Sequence, residues 1–106
     1  MHDENLMPPE LDALITAICA DYTRRAEVIS RRAAPYNVIM EYRFLNYRIM
    51  NAAMEIAGSR DALFFINDIG GNVGYAQSDL WVLSESVYKE RKKEVKDNIA
   101  RRLSLL

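Results

Sequence analysis

Apolar residues recur at three- and four-residue spacing through most of this chain, which is the period of an amphipathic helix. The first such face runs through Leu11, Leu14, Ile15, Ile18, Tyr22, Ala26 and Ile29. Pro8-Pro9 followed by Glu10 opens it, with proline in the first turn and an acid at the positive end of the helix dipole. It closes near Ala33-Ala34, because Pro35 disfavours helical geometry in the residue before it. A second face, through Val38, Ile39, Tyr42, Leu45, Ile49, Ala52, Ala53 and Ile56, predicts a helix from Tyr36 to Ala57 with Gly58 as its C-terminal cap. Met40, Phe44, Met50 and Met54 widen that stripe past what one neighbour covers. Such a helix belongs at the centre of a bundle or at a subunit interface.

Beyond Gly58 the elements shorten. Ser59 reads as an N-cap and Asp61 as a first-turn acid for a helix from Arg60 to about Ile69. Three glycines within Gly70-Gly71-Asn72-Val73-Gly74 predict a turn, linker or hinge. That run lacks the spacing and following lysine of a phosphate loop. Tyr75–Val82 is a short helical candidate, and Ser84 or Ser86 caps a final helix reaching about Leu103. The apolar runs LFFI and LWVL are short and suit buried helix as well as strand. The expected fold is therefore all-α: a four- to five-helix bundle in one domain, 1–106. Residues 9–58 would form a long-helix scaffold and dimer interface, and 59–106 a helix-turn-helix-like part.

Composition narrows the chemistry. A chain of 106 residues, half of them hydrophobic, supports one ordinary core. The single cysteine, Cys19, excludes an internal disulfide, suits a reducing compartment, and is expected to be a small core residue. The acidic start MHDENLMPPE does not read as a signal peptide, and no apolar run approaches the roughly 18 residues of a membrane span. The expectation is a cytoplasmic protein without membrane contact. His2 is the sole histidine. A zinc site and a Ser-His-Asp set are therefore not expected, and neither is any cofactor or catalytic residue.

Charge changes the picture more. The net charge is −1, but residues 84–106 hold seven Lys and Arg against four Asp and Glu, net +3. Residues 1–83 hold seven against eleven, net −4. An acidic body with a basic end directs one face toward a polyanion. On a helical wheel Val95, Tyr88 and Ile99 share the buried side of the last helix, with Val87 and Leu103 at its margins. Arg91, Lys92 and Arg102 border that side, with stems along apolar surface and heads in water. Ser86, Lys89, Lys93, Lys96 and Ala100 fall within a band of about 80° on the same wheel, and Glu90, Glu94, Asp97 and Arg101 occupy the rest. Such a ridge suits duplex phosphates, with Ser84 and Ser86 near base edges and Lys92 beside them. It equally suits a solvated face with i,i+4 pairs such as Glu85–Lys89.

A glycine-containing turn, a short helix, a turn opening on serine and a basic helix follow helix-turn-helix order. In that arrangement Ser78 faces the interhelical contact, Trp81 and Leu83 are apolar anchors, and Tyr88 plugs into the core. The stretch GYAQSDLWVLSESVYKERKKEVKDNIARRL resembles the C-terminal end of ArpU-type phage transcriptional regulators, relatives of the promoter-reading region of sigma factors. SESVYK and NIA carry the likeness, over roughly residues 74–103. It departs at Val82, where the family's tight turn has glycine, at Trp81, which is bulkier than the usual leucine, and at the Gly-Gly loop. The resemblance implies a transcriptional regulator with double-stranded DNA as partner; the homodimer is expected separately, from the aromatic and methionine surface of the second helix.

Two other constellations stand beside it. EYRFLNYR, residues 41–48, interleaves aromatics with arginines, but Tyr42 and Phe44 point about 160° apart on a helix and form no common stacking platform. Tyr42, Phe44, Tyr47, Met50 and Met54 read instead as a dimer interface, or as core. ELDALITAICADYTRRAEVISRRA looks superficially like the first helix of helical chorismate mutases. That likeness implies Arg24, Arg25, Arg31 and Arg32 as cations and Gln77 as a donor around a dicarboxylate, although the arginine spacing departs from that family's and the second helix has no lysine.

Overall fold

The computed structural model describes residues 7–106; His2 and most of the acidic N-terminal run lie outside the described residues. Its elements are α1 (Pro9–Ala20), α2 (Tyr22–Arg31), α3 (Tyr36–Gly70), a single 3-10 turn (Tyr75–Gln77) and α4 (Glu85–Arg102), with no strand among the described residues. The fold is all-helical. The four- to five-helix count is not what forms, because three rods dominate. Only Asp21 separates α1 from α2. The two segments of α3 meet at Gly58, and the stretch expected as a helix over Tyr75–Val82 is one 3-10 turn followed by an irregular loop.

Local sequence explains these junctions. Gly58 sits at φ 80° and ψ 166°, a region open essentially to glycine alone. It breaks the rod where a cap was expected, yet the helix resumes at once, without a loop. α2 stops at Arg31 because Arg32 turns left-handed (φ 51°) and the Ala33 N–H closes onto the Val28 carbonyl at 3.1 Å. Pro35 then heads α3, accepting the amides of Val38 and Ile39 at 3.0 Å.

α3 is the central element and packs against α1, α2 and α4. The core joins Ile15 and Cys19 of α1 to Ile49, Phe65, Ile66 and Ile69 of α3 and Tyr88, Val95 and Ile99 of α4. Ala52, Ala53, Ala62 and Ala100 are also fully buried, and their small side chains let the rods approach closely. At Gly70 the approach is close enough that a Cβ would lie 2.5 Å from the Ala20 backbone nitrogen. Gly70 is thus a packing residue, and the run it opens is no free linker. The Val73 amide binds the Asp68 carbonyl at 2.8 Å, and the Val73 carbonyl accepts from Lys92.

The expected stripe of the first rod holds at Leu11, Ile15, Ile18, Tyr22 and Ile29 and fails around position 26. Arg25, not Ala26, turns inward and is only 3 % exposed. Its guanidinium donates to Asn46 Oδ1 and to the Ile18 carbonyl, both at 2.7 Å, and lies 3.4 Å from Asp21. Asn46 in turn donates to the Tyr22 carbonyl at 3.1 Å. The α1–α2 junction therefore has its polar groups satisfied from inside the protein. Leu14 and Ala26, expected inside, are exposed.

In the 78–84 loop the anchors also differ. Ser78 is buried as expected, Leu80 fills the core beside it, and Leu83 is half-buried. Trp81, expected as an anchor, is 72 % exposed.

Candidate functional site

Ser84 caps α4, its hydroxyl accepting the Val87 amide at 3.3 Å, with the Ser86 hydroxyl 3.4 Å away. One turn later Tyr88 enters the core, stacked on Phe65 at 5.6 Å and tilted against Tyr75 at 5.5 Å. Its phenol donates to Asp68 at 2.9 Å and lies 3.3 Å from the Val73 carbonyl. Asp68 also accepts from Ser78 at 2.5 Å, and the Ser78 oxygen accepts the Leu80 amide at 3.0 Å. Tyr75 closes the loop, donating to the Leu83 carbonyl at 2.5 Å. Burial, reinforced by the hydrogen bond to Asp68, pushes the Tyr88 phenol up to about 12.

This scaffold aims α4's lysines. Lys92 passes over the Tyr88 ring, its ammonium 5.8 Å from the centroid, and donates to the Val73 carbonyl at 2.6 Å. Burial, helped by the neighbouring Lys96 charge, holds its pKa below the usual lysine range. Lys96 reaches α1 and binds Asp12 at 2.5 Å. Lys89 pairs with Glu85 at 2.8 Å in a solvated i,i+4 bridge, and Lys93 is exposed. All four lysines, with Tyr75, Tyr88, Gly74, Met7, Asp12 and Asp97, line one groove of about 460 Å³ between α4 and the start of α1. Four ammonium groups stand there against three carboxylates, Asp12, Asp97 and the Glu85 bound to Lys89, an excess of one positive charge that favours an anion.

The structure therefore brings Lys89, Lys92, Lys93 and Lys96 to one side but does not leave them equally free. The expected ridge is half covered: Ala100 is fully buried and Lys96 half-buried, because α1 packs over that side of α4. Lys92 does not carry its head into open water. Ser84 and Ser86 are exposed at the helix N-terminus, beside exposed Trp81 and Val82. The helix pair of a helix-turn-helix is not formed, because what precedes α4 is a loop stitched to Asp68.

The expected interface set divides. Phe44, Tyr47 and Met54 stay exposed on α3, joined by Met40. Met50 turns inward, and Tyr42 is half-buried beside Arg24. The Tyr42 phenol accepts from Arg24 at 3.2 Å, its ring lies 5.4 Å from that guanidinium, and Met50 packs against the core. The arginines of the mutase-like arrangement do not converge: Arg24, Arg31 and Arg32 are exposed, Arg25 is bound to Asn46, and Gln77 is exposed on the loop. Among the described residues no three His, Cys, Asp or Glu cluster as metal ligands, and no helix is long and apolar enough to cross a membrane.

Asp68 and Asp12 were not singled out in the sequence. For Asp68 a signal existed: an acid at helical spacing between Phe65 and Ile69 breaks an otherwise apolar face, which implies a buried partner. Nothing local announced Asp12, whose lysine is 84 residues distant. Compared with protein-family models, curated proteins and solved structures, the chain matches none.

Proposed function

We propose that this protein binds duplex DNA through phosphate contacts along the lysine face of α4. The observation that carries the reading is the gathering of Lys89, Lys92, Lys93 and Lys96 on one groove. Lys89 and Lys93 reach outermost and make the first contacts, since the Glu85 bridge is exposed and cheaply exchanged. Ser84, Ser86 and the first amides of α4 add neutral donors at the positive end of the helix dipole. Binding of this kind is dominated by the backbone of the duplex, and without a first helix to seat α4 in a groove it carries modest sequence information. The resemblance of residues 74–103 to ArpU-type regulators supports a non-enzymatic, cytoplasmic role in transcription, of phage or mobile-element descent.

Fluorescence anisotropy with random-sequence duplex across a salt series tests this. Two to four phosphate contacts give log K a slope of roughly −2 to −3.5 against log salt, and Lys89→Ala with Lys93→Ala makes it shallower by about two. No binding near 50 mM salt rejects the reading. A second reading, an interaction module without a nucleic-acid role, is favoured by the exposed apolar face of α3.

A further inference from the structure

We propose that a second copy of this chain packs antiparallel against the first segment of α3, building a two-fold dimer around four aromatic rings. Tyr36 is 77 % exposed, Phe44 62 %, Tyr47 67 %, Met40 42 % and Met54 39 %. With large side chains presenting about 200–250 Å² each, these leave on the order of 700 Å² uncovered, close to the ~800 Å² per partner of a standard interface. The residues are also in order. Met40, Phe44, Tyr47, Asn51 and Met54 alternate steps of four and three, the spacing of a helix–helix seam. Shallow hollows lie along it, one of about 370 Å³ among Met40, Arg43, Phe44 and Tyr47, and one of about 200 Å³ bounded by Phe44, Tyr47, Arg48, Asn51 and the Arg102 that Glu55 neutralises.

Charge selects the direction. Glu41 and Arg48, seven residues apart, flank the seam on one side, and Arg43 flanks it on the other. Among the described residues neither Glu41 nor Arg48 has an ion-pair partner; the Arg48 guanidinium rests 5.0 Å over the Phe44 ring. In a parallel pair, flanking positions five residues apart meet across the seam. That sets Arg43 against Arg48 of the second copy, two like charges. In an antiparallel pair each flank meets its own counterpart. A register centred between Leu45 and Asn46 then sets Phe44 against the second copy's Tyr47, Met40 against its Asn51, and Glu41 beside its Arg48, each contact occurring twice.

Length agrees with this register. It overlaps residues 36 to 55, about 30 Å of helix, and so spans nearly all of the segment between the start of α3 at Tyr36 and its break at Gly58. The central Phe44–Tyr47 cluster supplies the buried aromatic anchors that dominate interface energetics.

Sedimentation equilibrium from 1 to 100 μM, on the full chain and four variants, tests the proposal. The wild type is expected to be a dimer, and Phe44→Glu/Tyr47→Glu a monomer with unchanged helicity by circular dichroism. Arg48→Glu is the decisive variant. It confronts Glu41 with a like charge in the antiparallel arrangement and weakens the dimer by roughly tenfold, whereas in a parallel one it would pair with Arg43 and tighten it. Glu41→Arg weakens the dimer in the same way, and combining it with Arg48→Glu restores it. A wild-type monomer at 100 μM overturns the dimer. Tightening by Arg48→Glu, or no change from both single charge variants, overturns the antiparallel register.

Discussion

Individual positions carry more of this fold than their residue types suggest. Gly70 is required by contact rather than by conformation, since any side chain there strikes the Ala20 backbone. Gly70→Ala is expected to cost about 1–3 kcal/mol, seen as a fall in thermal midpoint of several degrees. Gly74→Ala, which meets only a flexible Gln77 side chain at 3.7 Å, is expected to change the midpoint little. Cys19 behaves as a core residue. Burial raises its thiol to about 12, so the native protein should resist iodoacetamide at pH 8 and react only once denatured. A native rate equal to the denatured one would contradict that burial. Asp68 was legible as an anomaly on an apolar face, but its partners were not, because Ser78 and Tyr88 come to it from 10 and 20 residues away.

At the level of elements, helices were readable and their joints only partly. Periodicity located α1, α3 and α4, and Gly58 located the break in α3. The α1–α2 bend depends on Arg25, which a pattern of apolar positions assigns to solvent. Arg25→Ala would leave Asn46 and the Ile18 carbonyl without their donor and is expected to cost about 3 kcal/mol by chemical denaturation. A loss below 0.5 kcal/mol would mean that water replaces the guanidinium. The stretch before α4 was expected as a helix because LWVL is apolar, yet only Leu80 of that run is buried. Hydrogen bonding decided against helix there: Asp68 holds Ser78 and the Val73 amide to α3, Tyr88 and Lys92 hold the Val73 carbonyl to α4, and Tyr75 closes the loop on its own carbonyls, an alternative that short helices seldom outcompete.

For the whole molecule, pH acts from both ends. Hydrogen bonding from Arg24, with the charges of Arg24 and Arg25, holds the Asp21 carboxyl below its ordinary 3.8. Its contribution is therefore present above about pH 4 and is lost as pH falls through the folded value. Cys19 and Tyr88 are raised, from 9.0 and 10.0, each to about 12. Their contributions are complete below the unfolded values and fade as pH climbs from about 9 toward 12. Denaturation midpoints measured across pH should fall at both limits, and Tyr88→Phe should flatten the alkaline fall above pH 10. An unchanged alkaline slope in that variant would show that Tyr88 ionises equally in both states.

By itself the sequence determined the all-helical class, the amphipathic faces, the break at Gly58 and the concentration of lysines in the last helix. These follow from spacing within one element, where 3.6 residues per turn convert sequence into geometry. Tertiary structure alone decided which lysines remain free, that Arg25 is interior, that Met50 joins the core and Tyr42 pairs with Arg24 while Phe44 and Tyr47 stay exposed, and that the glycine run is pinned. Each of those depends on a partner brought from another element, and helical period carries no information about which neighbour will cover a given face.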